Sequence, residues 1–253
     1  MQNGYIRRGN ARMANTFDII LTMNVLLTTP ALNVFEQMAL DEVLVRACAG
    51  AQTVRFYNWA GGPAVTFGYA QFISEVRRGI DAQKFTGGIC RRATGGGVVE
   101  HRDDLTFSLI FPSAGKPTEI YKELHGAIHA ALTLSGLAAH VFDKKLPAVA
   151  YAPSQHHSAS ACFVNPVEND LLLNGQKMLG GAIRRFGTTV LYQGSLQVPG
   201  ARENNAYKQA LINGVRSFLN ADLKIQPAGE TWLNEARQLA KTQYQTKEWT
   251  EKF

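Results

Sequence analysis

Cysteine is scarce in this sequence, with three residues among 253, at positions 48, 90 and 162. An odd and scattered set does not suit a disulfide framework and is typical of a reducing compartment, so we expect a cytoplasmic protein. Charged residues are also few, at 18%, and apolar residues reach 45%. This balance is that of an ordinary globular chain.

Long apolar runs are missing as well. The longest candidate, Ile19 to Leu27, falls far short of the roughly 18 residues that a membrane span needs, so we predict no membrane association. Asp18 interrupts the apolar part that follows the early basic residues, and no clean cleavage site is present. We interpret residues 1–16 as a poorly ordered lead-in and residues 17–253 as one domain.

Basic residues are in excess, with a formal net charge of +6 and an isoelectric point of about 9.3. Such a chain attracts acidic partners. The basic residues are dispersed and form no stripe with interleaved aromatic residues, so we predict no nucleic-acid partner. An acidic protein domain would satisfy the same charge.

Periodicity and turn residues predict helices and strands along the chain. Asn33 and Glu36 form a capping box that starts a helix, and Gly50 ends it. Asn174-Gly175 predicts a type I′ turn. Gly61-Gly62-Pro63 predicts a hairpin, and the glycine-rich run at 95–97 is expected to pair with the strand after it. The other predicted strands are Phe17–Val25, Val54–Trp59, Ala64–Tyr69, Leu105–Phe111, Val167–Leu173, Lys177–Arg185 and Val190–Val198, and the other helices are Thr118–Gly136, Asn204–Leu219 and Thr231–Tyr244.

Two histidine pairs raise the question of a metal site. His125 and His129 share a helix face, but no third ligand is evident and no glutamate follows His125 in the order that zinc proteases use. His156-His157 with Cys162 is a weak cluster. We predict no metal, and interpret His125 and His129 as surface or capping residues.

The most informative run is Arg91-Arg92-Ala93-Thr94-Gly95-Gly96-Gly97-Val98-Val99-Glu100-His101. Its glycines allow close approach of a ligand to the backbone, and its arginines supply charge for an anion. A hairpin turn with solvated arginines explains the glycines equally well. A phosphate-binding P-loop and a dinucleotide fingerprint are excluded, because the run opens into a strand and no Gly-Lys-Ser/Thr follows.

This run, with Leu105-Thr-Phe-Ser after it, resembles the signature of the lipoate-protein ligase, octanoyltransferase and biotin-protein ligase superfamily. A second block agrees in order and distance: Asn169-Asp170, Gly175, Lys177, Gly180-Gly181-Ala182 and Gln193-Gly194-Ser195. The resemblance implies an α+β fold with one mixed, mostly antiparallel sheet flanked by helices.

The resemblance also implies an activity, the transfer of an octanoyl or lipoyl group onto a lysine of an acidic lipoyl-accepting domain. Lys177 and Cys162 would be catalytic, and acyl carrier protein or another acyl donor would be a partner. An apolar slot lined by Phe67, Tyr69, Val98, Val99 and Leu179 would hold the chain, although core packing explains these residues as well. The residues expected to bind substrate are Arg91, Arg92, Thr94, Gly95, Gly96, Gly97, Val98, His101, Asn169, Asp170, Gly180, Gly181 and Ala182.

Two chemistries stay open. Cys162, fifteen positions before Lys177, resembles the nucleophile of the cysteine-dependent octanoyltransferases, which need no cofactor; a thiol near an ammonium forms a thioester readily. Gly97 and Asn169-Asp170 resemble instead the ligases, which use ATP and Mg²⁺ to make an acyl-adenylate. Many such ligases carry a further accessory domain, and this chain stops near the end of the catalytic domain. Either the enzyme needs no adenylation, or its second domain is on a separate chain, or it is a compact ligase. Of these we favour the transferase. A non-catalytic binding module of the same fold is the third possibility.

Overall fold

The structure, a computed structural model, describes residues 23–48, 50–144 and 166–253. The predicted lead-in at 1–16 lies outside the described residues. The strands are β1 (Val25–Thr28), β2 (Thr53–Phe56), β3 (Ala64–Phe67), β4 (Gly88–Arg91), β5 (Val99–His101), β6 (Leu105–Pro112), β7 (His140–Val141), β8 (Leu171–Leu173), β9 (Gln176–Phe186), β10 (Thr189–Leu196) and β11 (Lys224–Pro227). The helices are α1 (Val34–Ala47), α2 (Ile73–Gly79), α3 (Pro117–Leu134), α4 (Asn205–Leu219), α5 (Glu230–Leu239) and α6 (Lys247–Thr250).

A large sheet of eight strands runs in the order β11-β1-β2-β6-β10-β9-β8-β7, and a small sheet in the order β4-β3-β5. In the large sheet β1 is parallel to β2 and β11, and the other neighbours are antiparallel. In the small sheet β3 is parallel to β4 and antiparallel to β5. A mixed, mostly antiparallel sheet with flanking helices confirms the predicted fold class.

Alternation along the strands builds two cores, one on each face of the large sheet. In β6, Leu109 packs with α3 and α4, whereas its neighbour Ile110 packs with α1 and α5. Val190 and Leu191 of β10 divide in the same way. This is expected, because successive side chains of a strand point to opposite faces. A third cluster fills the space between the small sheet and α2.

Two local signals are confirmed in detail. Asn33 Oδ1 accepts from the backbone N–H groups of Phe35 and Glu36 at 3.0 and 3.1 Å, and Glu36 Oε2 accepts from Asn33 N at 3.1 Å. Asn174 and Gly175 both have positive φ, 52° and 78°, as a type I′ turn requires. The turn joins β8 to β9 and therefore fixes the register of Lys177.

The hairpin predicted at Gly61-Gly62-Pro63 is wrong, because β2 belongs to the large sheet and β3 to the small one. The two glycines, both at φ 86°, turn the chain from one sheet to the other. The pairing expected between the glycine-rich run and β6 is also wrong. Strand β6 lies between β2 and β10, so both of its edges are already occupied, and β5 pairs with β3 instead.

Most of the strand predicted at Phe17–Val25 lies outside the described residues, and among those described a strand begins at Val25. Two further elements were not predicted. Helix α2 and strand β11 had no clear signal. Pro227 is tolerated in β11 because that strand lies at the edge of the sheet. Within the described ranges no helix is long and apolar enough to cross a bilayer.

Candidate active site

The glycine-rich run leaves β4 after Arg91 and forms a loop that enters β5. Arg92 is buried and folds back under this loop. Its Nη2 donates to the carbonyl oxygens of Gly95 and Gly97 at 2.6 and 2.8 Å, and its Nη1 to Thr66 Oγ1 at 3.3 Å. The buried guanidinium of Arg92 therefore fixes the conformation of the glycine-rich loop through hydrogen bonds to its backbone.

Arg91 has different partners. Its guanidinium donates to the backbone carbonyl oxygens of Gln71 (2.8 Å), Trp249 (2.9 Å), Thr250 (2.8 Å) and Tyr69. The side chain is fully buried. Arg91 was expected to bind substrate, but these contacts use it to tie the C-terminal helix to the segment after β3.

Beneath the loop, between the two sheets, lies a narrow pocket that we call the inner pocket. Its lining residues are Met38, Tyr57, Thr66, Arg92, Val99, His101, Thr106, Gly180, Gly181, Ala182, Gln193, Gly194 and Ser195. Several of these side chains are polar, but they bond to one another or to buried partners. The cavity is therefore bounded mainly by apolar atoms, as a slot for an aliphatic chain requires.

One set of these bonds centres on Asp104, next to the pocket wall. Its Oδ2 accepts from Ser195 Oγ and Thr106 Oγ1, both at 2.6 Å, and lies 2.9 Å from His101 Nδ1. His101 Nε2 lies 2.9 Å from Thr66 Oγ1. Burial alone would raise the pKa of Asp104, but the charge of His101 and the hydrogen bonds outweigh it and lower that pKa. His101 is thus fixed in place by a buried carboxylate.

A second set anchors the loop to the core. Thr94 Oγ1 donates to Gln193 Oε1 at 2.6 Å, and Gln193 Nε2 donates to Asp41 Oδ2 at 2.7 Å and to Tyr57 Oη at 3.0 Å. Asp41 in turn pairs with Arg55 at 2.7 Å, and both side chains are fully buried. Thr94 therefore connects the loop to a buried ion pair.

Lys177 lies against Gly180, one of the residues that line the inner pocket. Its ammonium is 2.8 Å from Asp170 Oδ2, with both side chains almost fully buried. Asp170 also accepts from Val167 N at 2.6 Å. A β-carbon at Gly180 would lie within 2.6 Å of Lys177 Nζ, so the absence of a side chain there lets the ammonium approach the strand that lines the pocket. Asn169, at φ 73°, turns the chain into Asp170.

Tyr121, on α3, contacts Asp170 as well, and we call Lys177, Asp170 and Tyr121 the charged corner. Its hydroxyl donates to Asp170 Oδ1 at 2.5 Å and accepts from Gly181 N at 3.0 Å. Gly180, Gly181 and Ala182, expected to bind substrate, form no turn with free N–H groups. They lie inside β9 and pair with β10, and the Gly181 N–H is bonded to Tyr121.

His125 lies one turn further along α3, and its interpretation as a surface or capping residue is wrong. It is fully buried, with Nδ1 2.8 Å from Asn169 O and Nε2 2.7 Å from Tyr192 Oη. The pKa of His125 is lowered to about 3, chiefly by burial and in smaller part by the charge of Lys177, while the hydrogen bond with the Asn169 carbonyl opposes the shift. The imidazole is therefore neutral at physiological pH. His129 contacts the Ala139 carbonyl instead, and the described residues contain no three-ligand metal cluster.

A wider cavity of about 360 Å³, the outer pocket, opens beside the inner one. Its lining residues are Gly95, Gly96, Pro117, Thr118, Tyr121, Val167, Glu168, Asn169, Gly181, Ala182 and Ile183. Gly181 and Ala182 line both cavities, so the two adjoin across β9. The narrow apolar slot thus meets a roomier mouth at Gly181 and Ala182, which follow Gly180, the residue against which the Lys177 side chain lies.

The cysteines differ in their environments. Cys48 and Cys90 are buried, and burial raises the pKa of both thiols; for Cys90 the charges of Arg92 and Arg91 only partly offset it. Neither is suited to form a thiolate. Cys162 lies outside the described residues, as do His156 and His157.

The structure gathers most of the predicted site residues around these two pockets. Exceptions are Arg91 and Val98, which packs in the core of the small sheet. Of the expected slot residues, Val99 lines the inner pocket, and Phe67 and Leu179 belong to hydrophobic cores. Sequence reasoning missed Tyr121, His125 and Asp41, because their partners are distant in sequence. It also missed Asp104, which joins its neighbours His101 and Thr106 to the distant Ser195.

The family model of the lipoyl protein ligase A/B catalytic domain matches residues 33–225. Two similar curated proteins are named octanoyltransferase LipM. The one from Moorella thermoacetica is 30% identical over 68% of this chain and 63% of its own length. The one from Anoxybacillus flavithermus is 28% identical over 87% of this chain and 94% of its own length.

Solved structures agree on the fold. A lipoate-protein ligase A bound with ATP superimposes with a TM-score of 0.67 and 24% identity, covering 90% of this chain and 98% of its own. The bi-partite lipoate protein ligase of Thermoplasma acidophilum superimposes with a TM-score of 0.65 and 21% identity, covering 90% and 95%. At these identities the likeness concerns the architecture.

Proposed function

Because the chain belongs to the lipoyl protein ligase A/B catalytic domain family, we propose that it moves an octanoyl or lipoyl group onto a lysine of a lipoyl-accepting protein domain. The observation that carries this proposal is the buried Lys177–Asp170 pair beside the junction of an apolar slot and an open mouth. The slot suits an acyl chain, and the mouth suits an acceptor lysine. The names of the similar relatives favour octanoyl.

The first step of the proposed reaction loads Cys162. Cys162 loses its thiol proton, and the thiolate attacks the carbonyl carbon of a thioester on acyl carrier protein or another donor; the new C–S bond forms and the donor's C–S bond breaks. The donor leaves as a thiolate, which takes up the proton that Cys162 released. Cys162 is five positions before Val167, so chain connectivity keeps their α-carbons within about 18 Å. Val167 lines the outer pocket. The raised pKa of Cys48 and Cys90 leaves Cys162 as the best candidate.

The second step releases the product. The neutral amine of the acceptor lysine attacks the Cys162 thioester, the amide C–N bond forms, and the C–S bond to Cys162 breaks. The amine nitrogen loses one proton, and the departing Cys162 thiolate takes up a proton to return to the thiol. In both steps negative charge develops on the carbonyl oxygen. The Lys177 ammonium, held by Asp170 against Gly180, supplies the positive charge that stabilises it.

The remaining site residues position substrate in this proposal. Gly95, Gly96 and Gly97 form the loop over the slot, with Arg92 beneath it and Thr94 fixing it to the core. His101 forms part of the slot wall. Asn169, Gly181 and Ala182 line the mouth, and no substrate contact is assigned to Arg91 or Val98.

An ATP-dependent ligase is the second candidate, favoured by one feature of the outer pocket. The pocket is bordered by the N-terminal residues of α3, Pro117 and Thr118, and by Gly95 and Gly96. A helix N-terminus and a glycine-rich backbone fit a phosphate group. Under this reading ATP and Mg²⁺ would be required, and Lys177 would contact the activated carbonyl and phosphate.

The choice of donor tests the proposal. The protein is incubated with an unmodified lipoyl domain and either an octanoyl-carrier thioester without ATP, or free octanoate or lipoate with ATP and Mg²⁺; intact mass of the lipoyl domain is the readout. We expect modification from the thioester alone, and its loss in Cys162→Ala. Modification only with ATP, retained in Cys162→Ala, would establish the ligase. No modification from either donor would leave the non-catalytic binding module.

A further inference from the structure

A cluster of aromatic and basic side chains lies at the surface next to the glycine-rich loop. Tyr69 is its centre: the rings of Trp249 and Phe253 meet it edge-on, each with 5.7 Å between centroids. Arg184 and Lys252 stack on the same ring at 4.5 and 4.6 Å. We call these five residues the aromatic-basic patch. Lys252 and Phe253 are exposed, Phe253 by 48%, and the other three are partly exposed.

The patch is continuous with the mouth of the outer pocket. Tyr69 N donates to the Thr94 carbonyl at 2.9 Å, and a β-carbon on Gly68 would overlap the carbonyl oxygen of Gly96, which lines that pocket. From the other side, Arg184 follows the lining residue Ile183 along β9 and donates to the Ala93 carbonyl at 2.9 Å. Two separate segments thus bring the patch to the rim of the pocket.

The patch also has a rigid base. The buried guanidinium of Arg91 lies under Phe253, 5.3 Å from the ring centroid, while it donates to backbone carbonyls on both sides of the patch. Phe72, 50% exposed, follows directly after Gln71, one of those acceptors. An ordered aromatic surface of this kind loses little entropy when it binds a partner.

We infer that the aromatic-basic patch is the docking surface for an acidic protein domain that brings its acceptor lysine to the outer pocket. The inference rests on the proposed function. Partly exposed aromatic residues flanked by arginine are typical of the residues that dominate protein interfaces. Lys252 and Arg184 give the patch the charge that complements an acidic partner, in a chain of net charge +6.

The acceptor domain fits this position better than the acyl donor does. A lysine that must reach a carbonyl near Lys177 has only its own side chain, so its domain has to sit directly at the mouth of the pocket. A carrier thioester hangs from a long flexible arm, which lets the carrier dock farther away. A surface that adjoins the mouth therefore favours the acceptor.

The test measures binding of an isolated, unmodified lipoyl domain by isothermal titration at low ionic strength. Lys252→Glu and Phe253→Ser are compared with matched controls at distant exposed positions, Lys224→Glu on β11 and Leu134→Ser at the end of α3. We expect each patch variant to raise Kd about tenfold, the size of a moderate interface residue, while the controls stay near the wild-type value. Unchanged thermal unfolding midpoints establish that the variants are folded.

Three results would overturn the inference: wild-type protein that does not bind the lipoyl domain, patch variants that bind it as tightly as wild type, or Lys224→Glu weakening binding as much as Lys252→Glu. Patch variants that lose affinity for acyl carrier protein and keep it for the lipoyl domain would also contradict it. Failure of the proposed function looks different. In that case the lipoyl domain binds through the patch, but wild-type protein modifies it from neither donor.

Discussion

Lys177 and Asp170 form a buried pair in which the structural and the chemical roles can be separated. Lys177→Met leaves the Asp170 carboxylate buried beside an apolar side chain. We expect the free energy of unfolding to fall by about 3–5 kcal/mol, as for other broken buried pairs. The rate of acyl transfer should fall on the order of 10²–10³, because the charge that stabilises the oxyanion is lost.

The double variant Lys177→Met with Asp170→Asn removes both charges. It should recover much of the stability, measured by urea unfolding, and none of the activity, measured by single-turnover transfer. Near wild-type turnover in either folded variant would remove Lys177 from the chemistry.

The titration of His125 makes the free energy of unfolding depend on pH between the pKa values of the folded and the unfolded chain. In the folded state burial holds the pKa of His125 at about 3, whereas an unfolded histidine has a pKa of about 6.5. The unfolded chain therefore binds more protons between these values, and stability falls as pH drops from about 6.5 towards 3. Asp104 also makes the free energy of unfolding fall as pH drops, because its pKa is lowered in the folded state. Its contribution is lost only at lower pH, below the pKa of an ordinary carboxyl group.

We expect the urea-unfolding free energy to decrease from pH 6.5 to pH 5, with a slope of up to about 1.4 kcal/mol per pH unit from this group. His125→Gln keeps a donor and an acceptor between α3 and Tyr192 but cannot titrate. Its profile should be flatter over the same range. An identical slope in wild type and variant would contradict the assignment.

Sequence reasoning identified some residues and missed others for a physical reason. Lys177 and Asp170 could be found because they lie in one short block whose spacing resembles a known pattern. Tyr121 was missed because it bonds to Asp170, 49 positions away, and the bond from Thr94 to Gln193 spans 99 positions; no local pattern records such partners. Arg91 was predicted to bind substrate because its position fits the pattern. Its guanidinium instead donates to backbone carbonyl oxygens of α6.

Strand β9 contains both Lys177 and Gly180, so a small change of side chain at Gly180 should shift the position of the Lys177 ammonium. In Gly180→Ala the new methyl group would lie within 2.6 Å of Lys177 Nζ and 3.0 Å of Asp170 Oδ1. The ammonium must move, and we expect the acyl-transfer rate to fall about tenfold or more, since misplacement of about 1 Å can cost on the order of 10²-fold.

Gly126→Ala on α3 is the matched control, because a β-carbon at Gly126 meets nothing within 4 Å. It should leave the transfer rate unchanged and raise stability by up to about 1 kcal/mol through helix propensity. Equal rates for Gly180→Ala and wild type would mean that the position of the ammonium is not critical.

Elements with a complete local signal were predicted well. The capping box placed the start of α1, and the Asn-Gly turn placed β8 and β9. The pairing of strands was predicted poorly. Gly61-Gly62-Pro63 has the residues of a turn, but β3 cannot pair with β2, because β1 and β6 already occupy both edges of β2. In the same way β2 and β10 occupy both edges of β6. Edge strand β11 was missed because its short sequence, ending in Pro227, becomes a strand only beside β1.

The whole molecule carries a net charge of +6, and this should matter when it meets a protein partner. We expect the second-order rate of lipoyl-domain acylation to fall about tenfold as ionic strength rises from about 0.01 M to about 1 M, where the Debye length shrinks from roughly 30 Å to 3 Å. A small-molecule amine acceptor provides the control and should show little dependence on salt. A flat profile for the lipoyl domain would mean that charge does not steer the encounter.

The central claim is that one fold combines an acyl slot, a charged corner at Lys177 and a nucleophilic thiol at Cys162 into a two-step transfer. The direct measurement is to load the protein with octanoyl-carrier thioester without ATP, isolate it, and mix it with unmodified lipoyl domain. The account predicts a hydroxylamine-sensitive octanoyl adduct that peptide mapping places on Cys162 and that is absent in Cys162→Ser. When the lipoyl domain is added, this adduct should disappear while the lipoyl-domain lysine gains the same mass. An adduct that is not consumed by the acceptor, or acylation of the acceptor by Cys162→Ala from octanoate and ATP, would contradict it.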